Sequence, residues 1–380
     1  MKCIINGKII TPSEILDGYV LVFDEKIKEI VKEDEIPAGC EVIDAHGAYV
    51  APGLVDIHIH GYVGEDTSDG SIEGLEKMAT SLVANGVTSF CPTTMTVAKD
   101  QIERAFQTAR DLKAKEGYHG ANVLGINCEG PFINPSKKGA QMEEHILPPD
   151  GKFIVDNADI VKLVTIAPEM DGALDAIKYI TENSDVLVST GHTNATFEEA
   201  NLGIEAGVRH TTHLFNAMTP LMHRNPGVVG SALSHDEVSC EMICDTFHIN
   251  KGLFEIVAKL KGDKLCLITD CMRAGGMPDG HYDLGGQAVN VSGIKCLLED
   301  GTIAGSVLKL NLAVKNFYEN TSVGLVKAFA AASLNPAKAI REDARKGSIE
   351  PGKDADIIII DSNFNIINTF IGGTVRYENN

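Results

Sequence analysis

The chain has 380 residues, with 33 Lys+Arg against 53 Asp+Glu and a net charge of −20. That length suits two domains, or one large barrel with an accessory piece. A hydrophobic share of 44% with 23% charged residues excludes disorder, collagen and coiled coil as the main architecture.

An acidic surface repels a polyanion, so no nucleic acid partner is expected. No apolar run approaches the ~18 residues of a membrane helix, so no membrane partner is expected either. The opening Met1 to Gly7 breaks at Asn6-Gly7 before a signal-peptide core can form. Nine cysteines without a CxxC pair argue against a disulfide framework or zinc ribbon and fit reduced thiols in a cytoplasmic protein.

Residues 1–50 read as strands. The run 3–5 enters Asn6-Gly7 and leaves through Ile9 and Ile10, a hairpin signal. Runs 19–23 and 27–31 flank Asp24-Glu25-Lys26, and short runs follow at 42–43 and 48–50. Residues 347–380 look alike, with apolar runs inside 355–361, 364–370 and 374–377. Two short β segments cannot easily each bury a core, so the two chain ends are expected to join into one small β-sandwich.

Residues 51–346 have another rhythm. Apolar, β-branched runs recur at 54–60, 87–91, 122–129, 161–167, 186–190, 209–214, 240–245 and 265–270. Helical stretches fall between most of them, at 72–85, 101–115, 173–182, 197–206 and 253–260. Fully apolar strands alternating with helices predict a parallel sheet covered on both faces. About eight such units match an α/β fold of the (β/α)₈ barrel type. A doubly wound sheet is the alternative, with its ligand groups at one crevice.

Metal-type side chains cluster at the carboxyl ends of these runs. His58 and His60 end the first, Glu129 the third and Asp270 the eighth. His192 follows the fifth, His213 ends the sixth and His248 lies beyond the seventh. That end is where barrel enzymes build their sites. In His58-Ile59-His60, positions i and i+2 of a strand point to one side, so two imidazoles can reach one ion. Asp56 shares that face and is a candidate to orient a ligand. A carboxylate leaving a buried apolar run, as Glu129 does, is costly unless paired or metal-bound. Mixed imidazole and carboxylate donors suit Zn²⁺ or Fe²⁺ rather than Mg²⁺ or Ca²⁺. Asp270 is then the natural proton acceptor for a metal-activated water.

Pro52-Gly53-Leu54-Val55-Asp56-Ile57-His58-Ile59-His60-Gly61 resembles the opening of the amidohydrolase superfamily, and Gly352-Lys353-Asp354-Ala355-Asp356 its closing β segment. Narrower motifs are similar to those of the N-acetylglucosamine-6-phosphate deacetylases. They are Gly125-Ile126-Asn127-Cys128-Glu129-Gly130-Pro131-Phe132-Ile133-Asn134, Lys137-Lys138-Gly139-Ala140-Gln141, Gly191-His192-Thr193-Asn194-Ala195-Thr196 and Thr212-His213-Leu214-Phe215-Asn216-Ala217-Met218. Arg224-Asn225-Pro226-Gly227 and Asp300-Gly301-Thr302-Ile303-Ala304-Gly305-Ser306 match as well.

The resemblance implies a distorted (β/α)₈ TIM-like barrel at 51–346, with a β-sandwich from 1–50 and 347–380. It implies removal of the N-acetyl group of N-acetylglucosamine 6-phosphate in amino-sugar catabolism, by one or two divalent metals per subunit. Glu129, His192 and His213 would hold the principal ion, and His58, His60 and Asp270 a second. Glu129 takes the place where many superfamily members carry a carboxylated lysine. Asp270 would be catalytic base and then acid. His248 would contact the sugar or its acetamide. Asn216, Ala217 and Arg224 would bind phosphate, with Arg224 reaching in from the neighbouring subunit of a homodimer. Ala140 and Gln141 join the substrate-binding set; Gln141 stands where some members have His, so it brings no charge. The alternative is another amidohydrolase, acting on a cyclic amide or a different N-acyl compound.

Overall fold

The computed structural model describes residues 1–379. Eight strands lie side by side in chain order: β1 (Leu54–Ile59), β2 (Val87–Thr94), β3 (Ile126–Phe132), β4 (Val161–Ile166), β5 (Leu187–Thr190), β6 (His210–Thr211), β7 (Ser239–Ile243) and β8 (Leu265–Ile268). Every neighbouring pair is parallel. The circuit closes just beyond β8, where the Asp270 N–H donates to the His58 carbonyl and the His60 N–H to the Cys271 carbonyl, both at 2.9 Å. The barrel expected from the rhythm of apolar runs is therefore present, not the doubly wound sheet.

The strands are almost wholly buried because helices cover the outside and side chains fill the inside. Pro92 stands within β2, where it donates no ladder bond. A register shift between Phe90 and Pro92 accommodates it. A second shift follows Glu129, at Gly130-Pro131. Gly130 has φ +82°, and a Cβ there would lie 2.1 Å from Thr96 Oγ1. Only glycine lets the chain turn so sharply beside Glu129.

Helices Ile72–Leu82, Lys99–Ala114, Ala173–Asn183, Phe197–Ala206 and Phe254–Lys261 stand where the periodicity predicts them. Phe197–Ala206 begins with a capping box. Glu199 N–H donates to Thr196 Oγ1 at 3.2 Å, and Thr196 N–H donates to the Glu199 carboxylate at 2.8 Å. The box fixes the chain only a few residues beyond His192. The structure adds elements that the pattern does not single out, including helices Gly227–Ser234 and Leu310–Glu319. It also adds a three-stranded antiparallel insert, Gly280–Leu284, Gln287–Ser292 and Lys295–Leu298.

The two chain ends meet. Tyr49–Pro52 pairs antiparallel with Ile357–Ile360, Val50 opposite Ile359, inside a six-stranded sheet. A four-stranded sheet of Lys2–Ile5, Tyr19–Phe23, Ile27–Lys32 and Glu41–Asp44 belongs to the same end of the molecule. Ile4, Leu21, Phe23, Val50, Ile357, Ile359 and Phe370 share one core, with the Phe23 and Phe370 rings edge to face at 5.7 Å. The expected hairpin at Asn6-Gly7 is not one. Lys2–Ile5 belongs to the four-stranded sheet and Lys8–Ile10 to the six-stranded one, so the dipeptide carries the chain from one sheet to the other. Gly7 serves close packing there: a Cβ would lie 2.5 Å from Val50 Cγ2.

All nine cysteines are free, and all but Cys40 are buried. Burial pushes the Cys128 and Cys296 thiols up to about 12 and Cys240 to about 11. Because the thiolate is the reactive form, a thiol reagent at pH 8 should modify Cys40 quickly and the others only on unfolding. Fast native labelling of several thiols, read by mass spectrometry, would contradict this packing.

Candidate active site

A cavity of about 360 Å³ opens at the carboxyl ends of the barrel strands. His60, Glu129, His192, His213 and Asp270 line it, and His58 lies fully buried beside His60. The six residues make two ligand groups. His58, His60 and Asp270 form one; Glu129, His192 and His213 form the other. Within each, the donor atoms lie within 4.8 Å of one another.

Glu129 belongs to both neighbourhoods. Its Oε1 lies 3.2 Å from His192 Nε2, 2.9 Å from His213 Nε2 and 3.4 Å from His58 Nε2. Its Oε2 lies 3.2 Å from His60 Nε2. Asp270 Oδ1 faces the first group from the far side, 3.2 Å from His60 Nε2 and 3.6 Å from His58 Nε2.

The opposite edges of the rings are held. Lys137 O accepts from His192 Nδ1 at 2.9 Å, and Thr93 O lies 3.3 Å from His60 Nδ1. The Glu241 carboxylate takes His58 Nδ1 at 2.9 Å. Nδ1–H bonds of this kind leave Nε2 as the free donor atom, the tautomer a metal needs. Nitrogens Nε2 of His192 and His213 are 3.1 Å apart, and those of His58 and His60 are 3.3 Å apart. Lone pairs so close require a proton or a cation between them.

The electrostatics carry the same message. Burial alone would depress His58, but the Glu241 and Glu129 carboxylates outweigh it and hold the ring well above its usual pKa. Burial likewise opposes protonation of His60, yet bonds to Asp270 and Glu129 raise it to about 9. Burial would raise Glu129, but the charges of His58 and His192 pull it well below the usual carboxylate range. Asp270 is also lowered, the His60 bond and His58 charge overcoming its burial. Without a metal, protons on imidazole balance the carboxylates. The donor set, two imidazoles and a carboxylate in each group, therefore fits divalent metal ions.

Three of these residues sit in left-handed backbone: His192 at φ +46°, His213 at φ +28° and Asp270 at φ +50°. Non-glycine residues are uncommon there, and such strain gathers at functional sites. The run 209–214 forms a ladder only at His210–Thr211, so His213 projects from the turn beyond β6. This decides the register among neighbours: His210 points into the buried layer against Ser239 Oγ and Glu241, while His213 reaches the cavity.

Asp56 does not touch an imidazole. Its carboxyl accepts from Thr269 Oγ1 at 2.6 Å and from the His58 N–H at 3.3 Å, and burial lifts its pKa to about 7. Glu241, on β7, does what the place of Asp56 on the face of β1 promised, taking the His58 ring at 2.9 Å. Sequence reasoning passed over Glu241, although the signal was present: a lone charge in the apolar run Ser239-Cys240-Glu241-Met242-Ile243. Glu169 was missed too. It accepts from Thr193 Oγ1, Asn194 N–H and Asn134 Nδ2, tying the loop after β3 to the one carrying His192.

Ala140, Gln141, Asn216, Ala217 and His248 all line the cavity. Gln141 is buried, with Nε2 donating to Glu129 Oε2 at 2.7 Å and Oε1 accepting from the Thr96 N–H at 2.6 Å. His248 Nδ1 is 2.6 Å from Asp245 Oδ2; burial opposes its protonation, but that bond and charge raise its pKa. Arg224 is exposed and does not line the cavity of its own chain. The antiparallel insert walls one side through Leu284, and Gln287 Nε2 donates to the Ala140 carbonyl at 2.5 Å.

The profile of the amidohydrolase family matches residues 49–376, the barrel and most of the C-terminal strands. The chain belongs to the amidohydrolase family. The profile of the NagA composite domain covers residues 1–50 of this amidohydrolase. It is 40% identical to N-acetylglucosamine-6-phosphate deacetylase of Bacillus subtilis (strain 168), over 97% of this chain and 95% of the relative. It is 33% identical to N-acetylgalactosamine-6-phosphate deacetylase of Escherichia coli O157:H7, over 96% and 97%. The crystal structure of N-acetylglucosamine-6-phosphate deacetylase from Pasteurella multocida superimposes with a TM-score of 0.94, covering 100% of both chains at 32% identity. Among the described residues, no helix of this amidohydrolase is long and apolar enough to cross a membrane.

Proposed function

We propose that this amidohydrolase removes the acetyl group of N-acetylglucosamine 6-phosphate, giving glucosamine 6-phosphate and acetate. The observation that carries the reading is the pair of ligand groups meeting at Glu129 inside one cavity. The deacetylase relatives supply the substrate class.

Glu129, His192 and His213 would hold one divalent ion, and His58, His60 and Asp270 a second; Zn²⁺ and Fe²⁺ suit these donors. When bound, such metals supply a water of lowered pKa and polarise the acetamide carbonyl. Asp270 takes the proton that the attacking water gives up. It then delivers that proton to the sugar nitrogen as the C–N bond breaks, leaving acetate and a free amine. His248, its Nδ1 engaged by Asp245, offers its remaining ring nitrogen to the acetamide or a sugar hydroxyl. Asn216, Ala217 and Ala140 line the space for the sugar phosphate, and Gln141 is buried at its wall. The Gln141 amide is already engaged by Glu129 and Thr96, so its share is to brace Glu129 rather than to bind phosphate.

Arg224 would complete the phosphate site in a homodimer, the partner subunit's Arg224 entering each cavity. In support, it stands on an exposed loop beside Leu221 and Met222, which are 55% and 54% exposed. Two large apolar side chains in such a position favour a protein contact, and Arg gives bidentate bonds to phosphate. We assign residues 51–346 to the catalytic barrel and 1–50 with 347–380 to one β unit. Nine free thiols favour a cytoplasmic setting.

Acetate release from N-acetylglucosamine 6-phosphate, beside the unphosphorylated sugar and the galactosamine epimer, tests the assignment, with metal assayed on the same sample. Turnover requiring both metal and the 6-phosphate supports it. Indifference to phosphate would point to another N-acyl substrate. Preference for the epimer would favour the reading that the Escherichia coli relative offers. Arg224→Ala should raise KM for the phosphorylated sugar by about 10–100-fold, the ~1.5–3 kcal/mol of a charged hydrogen bond, with little change in kcat.

A further inference from the structure

One buried carboxylate outside the two ligand groups touches both. Glu241, on β7, is fully buried. Its Oε2 lies 2.9 Å from His58 Nδ1 and accepts the His213 backbone N–H, also at 2.9 Å. Its Oε1 lies 3.2 Å from His210 Nε2, whose Nδ1 is in turn 2.5 Å from Ser239 Oγ. The Glu241 backbone carbonyl accepts the Leu214 N–H at 3.0 Å. Side chain and main chain of this residue thus grip the turn from both sides.

That grip matters because His213 lacks the support its counterparts have. His58, His60 and His192 each have a partner at Nδ1. The Nδ1 of His213 is buried without a hydrogen-bond partner among the described residues. Its backbone is at φ +28°, a conformation that must be held by its surroundings. Its carbonyl accepts the Asn216 N–H at 2.9 Å, and its own N–H is held by the Glu241 carboxylate.

We infer that Glu241 is a positioning residue shared by the two ligand groups, fixing the His58 ring of one and the His213 turn of the other through a single carboxylate oxygen. The inference rests on the reading of the groups as metal sites. It predicts that loss of Glu241 weakens both ions together, although the residue ligates neither.

The test is Co²⁺ titration of metal-free wild type and Glu241→Gln, followed by visible absorption and by metal content after gel filtration. Gln keeps the shape but loses the charge. Both Co²⁺ affinities should fall about 10–100-fold, the usual worth of a ligand's hydrogen-bond partner, with altered visible bands. His60→Asn, which touches one group directly, should weaken one ion more than the other. Circular dichroism and urea unfolding without metal separate these effects from loss of fold. Unchanged affinities in a folded Glu241→Gln overturn the inference, as does weakening of one ion alone. Wild type that takes up no Co²⁺ overturns the metal reading itself, whatever the variant does. If Glu241→Gln does not fold, Glu241→Asp is read by the same criterion: both affinities fall together or the inference fails.

Discussion

Asp270→Asn is expected to yield a folded protein that retains the ion of Glu129, His192 and His213 but loses about 10²–10⁴-fold in kcat, the usual share of a general acid–base group. The main chain at Asp270 is anchored independently of its carboxylate. Its N–H donates to the His58 carbonyl at 2.9 Å and its carbonyl accepts from the Ser306 N–H at 2.8 Å. Asn keeps the side-chain volume and one oxygen, so the barrel seam should close as before. What goes is the group able to take a proton and return it. Steady-state kinetics on metal-replete protein checks the role, and wild-type kcat in the variant would refute it.

Glu129→Gln should have the larger effect on metal. Its carboxylate approaches His192, His213 and His58 through one oxygen and His60 through the other. Removing the charge deprives both groups at once. Partners of a ligand are worth about 10–100-fold in affinity, so loss of a ligand of one group that also faces the other should cost more than about 100-fold. The metal-free protein should also lose about 3–5 kcal/mol, because buried imidazoles paired with Glu129 are left facing a neutral amide. Metal content by mass spectrometry and urea unfolding of the apoprotein read the two effects separately. A variant that keeps the wild-type metal content would remove Glu129 from the ligand set.

The features legible in the sequence are those that repeat along one strand or helix. His58-Ile59-His60 shows period two, so both rings face one way and converge. Glu129 and Asp270 interrupt apolar runs at their carboxyl ends, where a charge needs a reason. The apolar rhythm yields the eight strands because each is buried on both sides. Features that depend on distant partners were not legible. Glu241 meets His58 across 183 residues. His192 is held by the carbonyl of Lys137, and a carbonyl carries no sequence signature. Asn6-Gly7 fits a hairpin turn locally, but tertiary packing uses it to pass between sheets. The insert around Gln287–Ser292 does alternate in burial. Its strands are polar and half exposed, so they do not stand out beside the barrel.

The pairing of Tyr49–Pro52 with Ile357–Ile360 has a consequence for biosynthesis. The two strands are about 300 residues apart. At ~5–20 residues per second, translation of the interval takes about 15–60 s. Throughout that time Tyr49–Pro52 has Lys8–Ile10 on one flank and no partner on the other, and Val50 has nothing to pack against from the far end. An unpaired apolar strand is an aggregation hazard. A chain that ends before Ile357 thus carries both candidate ligand groups but leaves the edge of Tyr49–Pro52 open.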